Sequence, residues 1–121
     1  MARFYTDGSS TIGVKSAYCV TDEKGMVLEL ETTSLYCGIQ FNYTNNEEEY
    51  RGVIAALYIC KEGDEICTDS KLVVEQVAGR FKVKKPHLRA LCDQAKELLA
   101  LKKAKLTWIG RDLNLAGKIF E

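Results

Sequence analysis

At 121 residues the chain has room for one domain around one core. Apolar residues make up 46%, which excludes a disordered chain. With 17 basic and 17 acidic side chains there is no global field to steer a polyanion, so nucleic acid would have to be met by a local basic patch. No apolar run is long enough to span a bilayer. Met1-Ala2-Arg3 leads straight into a strand pattern without signal-peptide character, so a cytoplasmic protein is expected. No feature marks a protein partner, and a monomer is expected.

Three strands are predicted first, over Arg3 to Ser9, Val14 to Thr21 and Met26 to Leu35. Asp22-Glu23-Lys24-Gly25 reads as the tight turn of a hairpin between the second and third. Helical periodicity starts at Asn46, with Tyr50, Val53, Ile54 and Leu57 on one face, and Gly63-Asp64 breaks it. A short buried strand over Ile66 to Thr68 follows, then a helix from Ser70 to Val77 ended by Gly79. Pro86 opens a third helix with an apolar stripe of Leu88, Leu91, Cys92, Ala95, Leu98 and Leu99. Lys105 to Ile109 is a fifth strand, and Gly110 to Glu121 reads as a loop and the first turns of an uncompleted helix. The order β-β-β-α-β-α-α-β predicts an α/β fold of mixed α+β character, with a mixed sheet and helices packed on it.

The five cysteines, Cys19, Cys37, Cys60, Cys67 and Cys92, are odd in number and contain no C-x-x-C pair. A zinc site is therefore not expected, and their apolar neighbours suit reduced core thiols.

Three carboxylates stand where a strand ends or a helix begins: Asp7, Glu49 and Asp69. Each has a local explanation. Asp7-Gly8 suits a turn. Glu49 completes a capping box if Asn46 is the N-cap. Asp69-Ser70 suits a helix cap. Those explanations leave open why all three occupy positions that converge if their strands are adjacent and the first helix crosses the sheet. Glu49, Val53 and Ala56 share one helical line, so Glu49 borders the buried stripe. Glu48 and Arg51 read as a solvated pair on a neighbouring face. Three close carboxylates repel one another unless a cation neutralises them, and Mg²⁺ or Mn²⁺ suits oxygen ligands.

Tyr5-Thr6-Asp7-Gly8-Ser9, Thr44-Asn45-Asn46-Glu47-Glu48-Glu49 and Cys67-Thr68-Asp69-Ser70 resemble, in order and spacing, the three signature segments of type 1 ribonuclease H. Residues 77–88 resemble the compact prokaryotic members, which lack a basic protrusion. Trp108-Ile109-Gly110-Arg111-Asp112 resembles the last core strand and the loop after it. The resemblance covers essentially the whole chain and implies one ribonuclease H-like domain over 1–121 with a truncated last helix. It implies a five-stranded mixed sheet whose first three strands are antiparallel. It also implies hydrolysis of the RNA strand of an RNA–DNA hybrid, leaving 5′-phosphate and 3′-hydroxyl ends, with two Mg²⁺ (or Mn²⁺) ions at the scissile phosphate. Asp7 would match the carboxylate that bridges both ions, and Glu49 and Asp69 the ligands on the leaving-group side. Gly8, Ser9, Thr44, Asn45, Asn46 and Ser70 would line the substrate, with Asn45 and Asn46 in the minor groove, where a 2′-hydroxyl marks RNA. Lys82, Lys84 and Lys85, within the dense basic segment Arg80 to Arg89, would track phosphates.

One departure stands out. The family carries a fourth acidic residue shortly after an Asn in the last loop. Asn114 fits that Asn, but Gly117 or Lys118 stands where the acid belongs. Three explanations are open: Asp112, Asn114 or Glu121 substitutes as ligand; water completes the shell; or the chain is a hybrid-binding module with a degenerate, weakly active or inactive site. The sole histidine, His87, lies at the start of the third helix, outside the last loop where many members place a mobile histidine.

Overall fold

The computed structural model describes residues 1–11, 15–34 and 43–121. Five strands, β1 (Arg3–Thr11), β2 (Lys15–Thr21), β3 (Val27–Ser34), β4 (Glu65–Thr68) and β5 (Lys105–Trp108), form one sheet in the order β3-β2-β1-β4-β5. The β1–β2 and β2–β3 pairs are antiparallel, and β1–β4 and β4–β5 are parallel. The mixed sheet with three antiparallel leading strands is therefore as expected.

Local chemistry accounts for the elements. Asp22 closes the hairpin turn by accepting from the N–H groups of Lys24 and Met26, both at 2.9 Å, while Gly25 adopts φ +81. Helix α1 (Asn45–Ile59) starts at Thr44, whose Oγ1 accepts from Glu47 N–H at 3.2 Å; the Glu47 carboxylate accepts from Thr44 N–H at 3.0 Å in return. This capping box lies two residues before the predicted one. Glu49 is thus released from capping, because Thr44 and Glu47 already satisfy the helix start. Helix α2 (Lys71–Val77) is capped by Ser70, and α3 (Pro86–Lys102) opens on Pro86 and ends at Lys103 with φ 49. The C-terminal segment differs from expectation. It forms two short 3-10 turns, Arg111–Leu113 and Gly117–Phe120, rather than the start of an α-helix.

The core lies between the sheet and the helix layer. Tyr18 and Val20 of β2 and Ile66 of β4 meet Tyr50, Val53, Ile54 and Leu57 of α1, with Leu88, Cys92, Ala95 and Leu98 of α3 behind them. Burying an aliphatic or aromatic side chain stabilises the fold by about 1.5–3 kcal/mol each before the entropy of ordering is charged. Cys19, Cys60, Cys67 and Cys92 are free and buried, as core thiols should be; Cys37 lies outside the described residues. Burial pushes Cys19 and Cys67 up to about 11, which keeps both protonated at neutral pH. Among the described residues, no helix is long and apolar enough to cross a membrane.

Glu48 and Arg51 do not form the solvated pair that the sequence predicts. Glu48 is fully buried, and its Oε1 lies 2.7 Å from Nη1 of Arg51. The i,i+3 pair forms, but on the face pressed against β1 and β2 rather than the one turned to water.

Candidate active site

β1 and β4 run side by side in parallel, and their last paired residues are Thr6 and Thr68. Asp7 and Asp69 follow directly and stand together at the carboxyl end of β4. Gly8 lets α1 reach them. A Cβ at Gly8 would overlap the backbone of Glu48 and Glu49, so only glycine permits this approach. The Gly8 N–H donates to Oε1 of Glu49 and fixes that carboxyl over β1. One carboxylate oxygen from each of Asp7, Glu49 and Asp69 then lies within 4.8 Å of the others.

The electrostatics follow from this crowding. Burial, and next the charge of Asp7, push the Glu49 carboxyl up to about 9. Burial also raises Asp7; a hydrogen bond with Glu49 opposes that shift, and the charge of Asp69 adds to it. With no cation present, Glu49 is the group of the pair that keeps a proton.

Asn114 braces the set from below. It is fully buried, and its Nδ2 donates to the Thr6 carbonyl at 2.9 Å and to Oδ2 of Asp69 at 3.2 Å. Its Oδ1 accepts from Ala116 N–H at 3.1 Å. Its amide oxygen is therefore engaged and its nitrogen faces the carboxylate, which makes it an orienting group for Asp69 and unsuited to binding a cation. Asp112 is exposed and is not part of the wall around the acidic set.

That wall encloses an open cleft of about 700 Å³. Of the predicted site residues, it brings together Asp7, Gly8, Ser9, Asn45, Asn46, Glu49, Asp69, Ser70 and Glu121. Thr44 caps α1 at the exposed edge, and Lys82, Lys84 and Lys85 lie exposed between α2 and α3, outside the wall. The basic segment is tied to the core side of α1 through Gln76. Its Oε1 accepts from the Tyr50 hydroxyl at 2.6 Å, and its Nε2 donates to the Lys82 carbonyl at 3.4 Å. Trp108, Arg111, Gly117 and Phe120 complete the wall and were not singled out as substrate contacts from sequence. Arg111 is the only basic residue in the wall among the described residues, and Trp108 Nε1 donates to the Asp69 carbonyl at 3.1 Å. The Trp-Ile-Gly-Arg run at the end of β5 was the signal that could have found both.

The sequence profile described as "Reverse transcriptase-like" matches residues 15–119. The chain belongs to that family, as a type 1 ribonuclease H-like protein. The N-terminal RNase H domain of rv2228c from Mycobacterium tuberculosis, solved as a fusion with maltose binding protein, superposes with a TM-score of 0.72 at 32% identity, over 93% of this chain and 84% of that one. LC11-RNase H1, solved in complex with an RNA/DNA hybrid, superposes with a TM-score of 0.69 at 25% identity, over 94% and 88%. The curated bifunctional protein Rv2228c of Mycobacterium tuberculosis is 42% identical over 76 residues, which is 59% of this chain and 21% of that protein. The chain thus matches about a fifth of the length of that larger relative.

Proposed function

We propose that this ribonuclease H-like chain is a divalent-metal-dependent endonuclease that hydrolyses the RNA strand of RNA–DNA hybrids, leaving 5′-phosphate and 3′-hydroxyl ends. The observation that carries the reading is the convergence of Asp7, Glu49 and Asp69 within 4.8 Å at the floor of an open cleft. An all-oxygen set with this much mutual repulsion fits hard cations such as Mg²⁺ or Mn²⁺. Asp7, Glu49 and Asp69 would hold them, and bound ions would supply an activated water and charge stabilisation of the departing 3′ oxygen.

The chain's own residues do the positioning. Gly8 N–H holds the Glu49 carboxyl, and Asn114 holds that of Asp69. Asn45 Oδ1 accepts from Ser10 N–H at 2.7 Å, which leaves its amide N–H groups free to donate to a base edge or a 2′-hydroxyl. Asn46 lines the cleft beside it. Ser70 Oγ accepts from Val73 N–H at 3.3 Å, and its own proton is left for a phosphate oxygen. Arg111 brings positive charge to a wall otherwise rich in carboxylates, while Ser9 lines the cleft and Thr44 flanks it. Lys82, Lys84 and Lys85 supply the sequence-independent attraction to phosphates.

The second reading, a hybrid-binding module that cuts weakly or not at all, is favoured by the lack of an acid at Gly117 and Lys118, the two positions that suit the family's fourth acid; Gly117 stands against Asp7. One assay separates the two. Labelled RNA–DNA hybrid, double-stranded RNA and double-stranded DNA are each incubated with Mg²⁺ and with Mn²⁺. Cleavage confined to the hybrid and abolished by Asp7→Asn supports the nuclease. Salt-sensitive hybrid binding without cleavage in either metal supports the module, and cleavage that survives Asp7→Asn removes the proposed site.

A further inference from the structure

The first turn of α1 contains a carboxylate that the proposed reaction does not use. Glu48 is fully buried beside Arg51, and its Oε2 has no hydrogen-bond partner among the described residues. The Arg51 guanidinium lies 4.0 Å from the centre of the Tyr43 ring and 5.1 Å from that of Tyr18. Both tyrosines are anchored in turn, Tyr43 through its backbone and Tyr18 through its hydroxyl. Tyr43 N–H donates to Ser16 Oγ of β2 at 3.0 Å, and its carbonyl accepts from Ser10 Oγ of β1 at 2.7 Å. The Tyr18 hydroxyl lies 2.7 Å from carboxylate oxygens of both Glu29 and Glu31 on β3.

A buried ion pair with one stranded oxygen is a poor way to stabilise a fold, because apolar side chains of similar volume commonly do as well or better. Such a pair does impose a defined geometry, since each partner is tolerated only where the other stands. Geometry is what this turn needs. Glu48 and Glu49 are the residues whose backbone packs on Gly8, and Glu49 must face Asp7 and Asp69. A small roll of α1 about its axis would carry the Glu49 carboxyl away from both.

We propose that the Glu48–Arg51 pair, its guanidinium held over the rings of Tyr18 and Tyr43, is a positioning device that sets the roll of the first turn of α1 and so aims Glu49 into the acidic set. This rests on the reading of that set as a metal site. Glu48 and Arg51 are positioning residues: neither lines the cleft wall.

The test uses the double variant Glu48→Leu with Arg51→Met, the single variant Glu48→Gln, and Mn²⁺ as the probe. In EDTA the double variant unfolds at or above the wild-type midpoint. Its Mn²⁺ affinity, measured by titration calorimetry, falls roughly tenfold or more, the scale seen when the support of a ligand is removed. Glu48→Gln keeps the shape and an acceptor for Arg51, and retains Mn²⁺ affinity within about threefold of wild type. Mn²⁺ affinity of the double variant equal to wild type overturns the proposal. So does a double variant that fails to fold or melts well below wild type, because the pair is then a stabiliser. Loss of affinity in Glu48→Gln as large as in the double variant also overturns it. Wild-type protein that binds no Mn²⁺ removes the metal-site reading itself, a result distinct from an unaffected double variant.

Discussion

Gly117 lies against Asp7, so that a Cβ built on Gly117 would stand 3.3 Å from Oδ2 of Asp7. Of the two positions where a fourth acid is expected, Gly117 and Lys118, Gly117 therefore lies beside the central carboxylate in the cleft wall. Gly117→Asp should place a fourth carboxylate there once its neighbour yields by a few tenths of an ångström. The added charge lowers the unfolding midpoint in EDTA and raises affinity for Mg²⁺, and hybrid cleavage rises by about an order of magnitude. Calorimetry and a cleavage time course check both; an unchanged Mg²⁺ affinity would show that Gly117 is not the vacant ligand position.

Gly8→Ala tests the approach of α1 to β1. The new methyl overlaps the Glu48 carbonyl carbon and the Glu49 nitrogen, both backbone atoms that have no rotamer in which to retreat. Loss of stability of at least about 2 kcal/mol is expected, together with loss of metal binding, since the helix must lift and take Glu49 with it. Denaturant unfolding gives the first quantity, and Mn²⁺ titration gives the second.

Asn114→Ala removes the buried brace. The Thr6 carbonyl loses a donor, Ala116 N–H loses an acceptor, and Asp69 loses its orienting contact. The cost should be about 2–3 kcal/mol, reflecting buried polar groups left unsatisfied. Asn114→Asp is expected to be worse for the metal-free protein, because it adds a buried carboxyl beside the three of the acidic set and takes away the donor.

Proton linkage provides a fourth test. The Glu49 carboxyl titrates near 9 in the folded, metal-free protein against an ordinary 4.5, so the folded state binds the proton more tightly than the unfolded chain. Its stabilising contribution is complete below the unfolded value and is lost as pH rises through the folded one. In EDTA, the unfolding midpoint should therefore decline as pH climbs from about 4.5 toward about 9. Mg²⁺ should reverse the decline, and its binding at neutral pH should release a proton, visible as a calorimetric enthalpy that depends on the ionisation heat of the buffer. A midpoint that rises over that range in EDTA would contradict the assignment.

Much of the fold could be read from the residues, because the hairpin turn, the apolar stripe of α3 and the alternation of β5 are set by local chemistry. The acidic set was legible for a different reason: Asp7, Glu49 and Asp69 each sit in a short polar motif that resembles a known family. The errors came where two local rules compete. Thr44 and Asn46 are both good N-caps, and only Glu47 at the third helical position decides between them. Glu48 beside Arg51 has the pattern of a solvated pair, and its burial depends on Gly8, forty residues away, letting the helix come close. The C-terminal turns escaped prediction because they are held by long-range contacts, Asn114 to Thr6 and Asp69, and Gly117 against Asp7, that no local periodicity encodes.

Trp108 gives the site its own optical reporter. It is the only tryptophan in the chain, half-exposed in the cleft wall, with its indole N–H on the Asp69 carbonyl. With excitation at the red edge of indole absorption, beyond that of the six tyrosines, emission therefore comes from one spot beside the acidic set, without any label. Paramagnetic Mn²⁺ should quench it on binding while Mg²⁺ should not, and a hybrid entering the cleft should shift its maximum. Metal and substrate occupancy can thus be followed separately, in real time, in the unmodified chain.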